Sequence, residues 1–383
     1  MASSPPIQNR AVFLQNVEGM PNLRAEMQIR PIPEATPGSV VIRVLAATVR
    51  ANSPRVYRDP KSGHPLPFPF VPGHTAIGRV SKISSDVTIL KKDQLVFFDP
   101  YIQARDGGGF YVSAMMEGFT PESFKLSRGD WRDGTYADYA KLPIENCHVL
   151  DESRLLGDKS HGGLGYTILD LTHLFSMLVP FGGLSDIDIK PGDTILIAPA
   201  TGRHGSAAVH LAIALGASVV AVGRNHNILS KLAAMNPRIS FATITGDTAR
   251  DADTIRSACG GLADAFWDMS PATAATSSHF KSCLEALRIG ARVSLSGGAP
   301  PDVNFGYVDI LFRALTVKGT MMSTPEQTKR LIKLVESGVL PLGDRAGMGP
   351  VRTFSLDAWE EAWDAANQRR EPGEIVITPQ APR

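Results

Sequence analysis

The residues best placed to do chemistry form one tight turn, Ala200-Thr201-Gly202-Arg203-His204-Gly205-Ser206, between the apolar run TILIA (194–198) and a helical pattern. A strand that turns sharply into a helix is the context in which a glycine pattern binds phosphate. Ala200 stands where the first glycine of such turns usually sits, Gly202 lets the backbone approach a pyrophosphate, and Gly205 lets the helix pack on its sheet. The free N–H groups and partial positive charge of the helix start would face the phosphates. Ser206 can add a hydroxyl, and Arg203 is either a further phosphate contact or a solvated turn residue. The next strand, SVVAV (218–222), runs into Gly223-Arg224-Asn225. An acid there would accept a hydrogen bond from the ribose 2′-hydroxyl and repel a 2′-phosphate, whereas an arginine does the reverse. The turn predicts a dinucleotide site and the strand end predicts NADP(H), with NADPH as the cofactor.

A turn of this kind works only if a sheet holds it. From residue 193 onward, apolar runs alternate with helical patterns: TILIA, SVVAV, SFATIT (240–245), ADAFWDM (263–269), RVSLSG (292–297) and LTVKGT (315–320) read as six strands with helical crossovers. The expected fold class is α/β, with a doubly wound parallel Rossmann sheet over 166–321. The first 165 residues lack crossover helices and show VVIRVLAATV (40–49), IGRVSKI (77–83), QLVFFD (94–99) and TYADYAKLP (135–143) between Pro- and Gly-rich turns, so an irregular β domain is expected there. Residues 322–383, including the helical TPEQTKRLIKLVESGVLP (324–341), are expected to return to that first domain and leave a cleft between the two.

Composition narrows the partners. Of 383 residues, 39 are basic and 38 acidic, so no broad field for nucleic acid or an anionic membrane is present, and a small-molecule substrate is expected. The three cysteines are scattered and form no Cys-x-x-Cys pair. No secretion or lipidation pattern is seen, and no run reaches the roughly 18 apolar residues of a membrane span, so a cytoplasmic location is expected.

With VVIRVLAATV, FPFVPGHTAIGRV, GTYADYAKLP, IKPGDTILIAPATG, LTVKGT and KLVESGVLPL spread along the chain, the sequence resembles the medium-chain dehydrogenase/reductase family of zinc alcohol dehydrogenases and quinone oxidoreductases. The resemblance implies a GroES-like catalytic domain, a Rossmann domain and hydride transfer at nicotinamide C4. It also implies that Gly297, Gly298, Thr320 and Met322 border the nicotinamide. Zinc members carry a cysteine after the LAATV-like strand, a His-Glu pair after Pro-Gly, and a third ligand opening a helix before the cofactor domain. Here those positions hold Arg50, His74 followed by Thr75, and the cysteine-free YTILDLTHLFSM (166–177). A guanidinium cannot ligate a metal, and His74 alone cannot hold zinc; His173 or Asp170 could sterically rebuild a site with it, but a histidine on an amphipathic helix is more often packed or solvated.

The branch implied is a zinc-independent enoyl reductase or quinone oxidoreductase, in which His74, Tyr57, Thr48 and His204 are the candidate proton donors or oxyanion partners. Each of the four could equally be a wall residue. His204 is expected to pack beside the nicotinamide more than to donate a proton. An alcohol dehydrogenase with a non-standard zinc site, and a non-catalytic NADPH-binding sensor or structural protein, are the rival readings. The four-cysteine lobe of zinc members is replaced by residues 99–133, whose Tyr101, Phe110, Tyr111, Met115, Met116, Phe119, Phe124 and Trp131 either line a pocket or simply pack. The apolar stretch VNFGYVDILFRALTVKG (303–319) joins a helix-like piece to the last strand of the sheet, and a homodimer is expected to form there.

Overall fold

The computed structural model describes residues 8–18, 20, 22–271, 274, 277–298, 306–369 and 371–379. Two compact units emerge: Met1–Phe175 with Pro350–Arg369 and Glu374–Arg383, and Ser176–Gly349 with Arg370–Gly373.

The second unit carries the expected parallel sheet. Its strands lie in the order Ile239–Thr243, Ser218–Gly223, Thr194–Ala198, Ala263–Asp268, Leu287–Leu295, Thr316–Gly319, and every neighbouring pair is parallel. The order steps outward from the first strand in one direction and then the other, which is the doubly wound Rossmann arrangement. Strands covered by helices on both faces need apolar side chains on both, so they read as continuous apolar runs. Leu196, Ala198, Val220, Val222, Phe266 and Val293 join one buried cluster with Ile255 and Cys283.

Two boundaries differ from the sequence reading. The strand read at 292–297 begins earlier, at Leu287, directly after the helix His279–Glu285. The helix Pro325–Glu336, expected to return to the first domain, belongs to the second unit, and the division falls after Phe175 instead of after residue 165. That helix is amphipathic, with Thr328, Leu331, Ile332 and Val335 buried, and such a pattern shows that a face is covered without showing by what. Residues 303–305 of the proposed dimer segment lie outside the described residues.

The first unit is built on a largely antiparallel sheet ordered Val351–Ser355, Glu374–Thr378, Ser39–Val49, Ala76–Ile83, Leu95–Phe98, Cys147–Val149, with Tyr139–Pro143 also paired to the long strand Ser39–Val49. A hairpin pairs Asn9–Gln15 with Arg24–Arg30. The core gathers Val40, Ile42, Val44, Phe98, Tyr57 and Trp363, so chain segments far apart in sequence share one apolar interior. In the 99–133 segment, strands Tyr101–Gln103 and Phe110–Val112 pair and precede the helix Pro121–Arg128. Tyr111 is fully buried in the core of the first unit and donates to the Trp131 carbonyl at 2.8 Å, whereas Phe119 is exposed. No helix among the described residues is long and apolar enough to cross a membrane.

Candidate functional site

In the second unit, the groups singled out in the sequence all follow the carboxyl ends of parallel strands. The helix Arg203–Ala214 starts at Gly202, where no side chain caps it. A Cβ on Gly202 would meet nothing within 4 Å, which marks open space in front of the turn. Gly205 is the opposite case: a Cβ there would collide with the Pro199 carbonyl oxygen and sit 2.9 Å from the Ala200 Cα. The turn is tied to the next strand end by the Ala200 N–H donating to the Val222 carbonyl at 2.8 Å, and a Cβ on Gly223 would lie 3.0 Å from Thr201 Cγ2. Ser206 is buried in the first turn of the helix.

Arg224 and Asn225 open a shallow depression of about 400 Å³ with His226 and Asn227. Arg224 is exposed, and among the described residues no acid pairs with it. The Asn225 carboxamide oxygen accepts from the Ile228 N–H at 3.2 Å and caps the helix His226–Ala234. Asn225 therefore holds the helix start in place, and Arg224 brings a guanidinium to this strand end.

His204 is half-buried, and its Nδ1 lies 2.9 Å from the Ser176 carbonyl, so Nδ1 carries the proton and donates it. Gly297 packs where a Cβ would come within 2.5 Å of Ser270 backbone atoms, while a Cβ on Gly298 would face open space. The Thr320 hydroxyl donates to Asp186 at 2.9 Å, and Met322 adopts a left-handed φ of 62°.

A buried network at the end of the strand Ala263–Asp268 escaped the sequence reading. The Ser270 hydroxyl donates to Asp268 Oδ1 at 2.6 Å and lies 2.7 Å from His279 Nε2, whose other nitrogen lies 2.6 Å from the Ser277 hydroxyl. Asp268 neighbours Ala198 across the sheet, immediately before the glycine turn. An acid closing a buried strand and followed by serine was the available signal. The network fixes the loop that crowds Gly297.

In the first unit, Thr48 Oγ1 lies 3.4 Å from His74 Nε2; both residues are buried, and the His74 ring meets Phe175 edge-on at 4.4 Å. The strand pairing that aligns Ala47 with Ala76 brings this hydroxyl and imidazole together. Tyr57 is set apart from that pair in role: its hydroxyl donates to the Ala114 carbonyl at 2.6 Å, and its ring packs 5.1 Å from Trp363. Arg50 is 6 % exposed, with Nη2 3.4 Å from the Tyr57 hydroxyl. His173 and Glu374 are both buried, with Nδ1 3.9 Å from Oε1. Asp170 accepts from the Thr167 N–H and hydroxyl, each at 2.8 Å.

Two family models match. One, described as an alcohol dehydrogenase GroES-like domain, covers residues 36–152, and the other, described as a zinc-binding dehydrogenase, covers 205–337. The chain belongs to the medium-chain dehydrogenase/reductase family. This dehydrogenase/reductase is 24% identical over 347 residues to an alcohol dehydrogenase of Rhizobium meliloti, covering 90% of this chain and 91% of that one. Its fold is shared with a zinc-binding dehydrogenase of Sinorhizobium meliloti bound to NADP, at 19% identity and TM-score 0.73 over 97% and 100% of the two chains. It is likewise shared with acetophenone reductase of Geotrichum candidum in complex with NAD, at 18% identity and TM-score 0.71 over 98% of each chain.

The family name raises zinc, and the side chains decide how well this member could hold it. Catalytic zinc takes three protein ligands of the Cys, His, Asp or Glu type. Among the described residues of this dehydrogenase/reductase, no group of three such side chains is arranged to hold a metal. His74 Nε2 lies 3.4 Å from the Thr48 hydroxyl and its ring meets the Phe175 ring, and the Asp170 carboxylate accepts hydrogen bonds within its own turn.

Proposed function

We propose that this dehydrogenase/reductase is an NADPH-dependent, zinc-independent reductase acting on a small apolar or aromatic metabolite. The bond reduced is an activated C=C, as in an enone or quinone, or a C=O or C=N. The observation that carries the cofactor half is Arg224, exposed and without an acidic partner at the end of the second strand of the sheet. Bound NADPH would supply hydride from C4 of its nicotinamide. The chain's own part is to seat the pyrophosphate on the open helix start at Gly202 and to hold the 2′-phosphate with Arg224.

In the first unit, the buried Thr48–His74 pair is the group able to hold a proton near a substrate oxygen, since a hydroxyl can accept one hydrogen bond and donate another. His204, with Nδ1 committed to a carbonyl, supports the packing role. Independence from zinc is supported by the donor set around His74 and by a guanidinium at Arg50. We also propose a homodimer, because the edge strand Thr316–Gly319 is preceded by a helix, Tyr307–Phe312, whose Tyr307, Val308, Leu311 and Phe312 are exposed.

The test is NADPH oxidation by purified protein over a panel of enones, quinones and ketones, with and without a chelator, alongside metal analysis. Turnover that survives chelation in protein lacking stoichiometric zinc is the expected result. One zinc per chain, lost together with activity in His74→Ala, would establish instead the alcohol dehydrogenase that the family name suggests. Tight NADPH binding without turnover on the whole panel would favour a sensor or structural role.

A further inference from the structure

A guanidinium is buried in the first unit without a counter-ion among the described residues. Arg50 follows directly on the strand Ser39–Val49 and is 6 % exposed. One of its three nitrogens, Nη2, reaches the Tyr57 hydroxyl at 3.4 Å, and that hydroxyl is anchored on the Ala114 carbonyl at 2.6 Å. The other two, Nε and Nη1, are buried and make no hydrogen bond, and no acid among the described residues forms an ion pair with Arg50. The Ser53 hydroxyl, in the same turn, is buried and unbonded as well, and the Ser53 N–H donates to the Arg50 carbonyl at 3.0 Å.

The register places one acid opposite Arg50. Ile375 pairs with Val49, so Glu374 is the next residue along the neighbouring strand, but its carboxylate lies 3.9 Å from His173 Nδ1. Burial first, and then the charges of Arg50 and Arg55, hold the His64 imidazole below its usual range, against the Ser62 carbonyl, which favours the charged ring.

An arginine side chain stays charged, and although the guanidinium also lies over the Tyr57 ring at 5.9 Å, a buried charge without a counter-ion is costly. A neutral ketone or enone would leave that charge uncompensated. A carboxylate would accept from Nε or Nη1 and from the Ser53 hydroxyl, and charge-assisted bonds of this kind are about twice as strong as neutral ones. We propose that Arg50 and Ser53 form a binding site for a carboxylate carried by the substrate. The substrate class is then an apolar or aromatic acid in which the reducible bond is separate from the carboxylate. The assignment of this anion to the substrate rests on the reductase reading above; the existence of the anion site does not.

The experiment is calorimetric titration of the full-length protein, without NADPH, with benzoate and with its neutral isostere benzamide. A phosphate-free buffer of fixed ionic strength keeps other anions from competing. Benzoate is expected to bind about tenfold tighter than benzamide. Arg50→Met is expected to bring the two ligands within about twofold, and Ser53→Ala to weaken benzoate several-fold while leaving benzamide unchanged. Should Arg50→Met fail to fold, Arg50→Lys keeps the charge without the planar donors and is expected to lose about half of the preference on a logarithmic scale. Equal affinities in the wild-type protein, or a benzoate preference untouched by substitution of Arg50, would overturn the proposal. Because no turnover is measured, a protein that reduces nothing can still pass this test, and an active reductase can fail it.

Discussion

Arg224→Ala measures the reading of the cofactor directly. The guanidinium is exposed, so its attraction for a phosphate is screened by water: two unit charges at 4 Å are worth about 1 kcal/mol at the dielectric of water. A phosphate monoester carries about −1.5 to −2 near neutral pH, which raises the pairing to about 1.5–2 kcal/mol. That energy corresponds to roughly 12- to 30-fold in affinity. Arg224→Ala is therefore expected to weaken NADPH by about that factor while leaving NADH within about twofold, because NADH carries no 2′-phosphate to lose. Calorimetric titration of both nucleotides gives the two constants. Repeating it at 0.1 and 1 M salt, where the screening length falls from about 10 to 3 Å, should shrink the wild-type preference toward that of the variant. Asn225 is not expected to share the effect, because its carboxamide oxygen is occupied by the Ile228 N–H. A wild-type protein that prefers NADH, or an NADPH/NADH ratio unmoved in Arg224→Ala, would refute the reasoning.

Three further outcomes are expected. His204→Val should raise the NADPH KM modestly and leave kcat within about tenfold, since Nδ1 is committed to the Ser176 carbonyl; a fall in kcat of several hundredfold with cofactor affinity intact would make His204 an acid. Light scattering at micromolar concentration should report a homodimer, and Leu311→Glu on the exposed helix Tyr307–Phe312 should dissociate it; a wild-type monomer would remove the edge-strand argument. Asp251 is buried, which by itself raises its pKa, but hydrogen bonds from Thr245, Ser278 and the Gly246 N–H more than offset this and hold the carboxyl below its usual value. Its stabilisation is therefore complete above the unfolded value of about 3.9 and is lost as the pH falls through the lower folded value. Asp251→Asn should cost about 1–3 kcal/mol at neutral pH, with the gap to wild type closing below about pH 4 in chemical denaturation; a cost that stays constant from pH 7 to 3 would contradict that assignment.

The second unit was largely legible before folding, because its signals are local. A parallel strand covered on both faces must be apolar on both, so TILIA and SVVAV declare themselves within five residues each. Gly202 and Gly205 likewise state their roles through the strand and helix on either side of them, and Arg224 through its place at the end of the next strand. What tertiary structure alone decided depends on partners distant in sequence. The strand Glu374–Thr378 completes the first unit by pairing Val376 with Thr48, and no pattern around either residue names the other. The helix Pro325–Glu336 shows an apolar face in its sequence, but the neighbour that covers that face is chosen by the whole chain. Asp268, Ser270 and His279 become a network only when a strand end and a helix start meet. Arg50 is the sharpest case. Its residue type excludes it as a metal ligand on chemistry alone, whereas its lack of a counter-ion follows from the direction in which Glu374 turns, and burial of a charge is a property of the packed interior and not of any stretch of sequence.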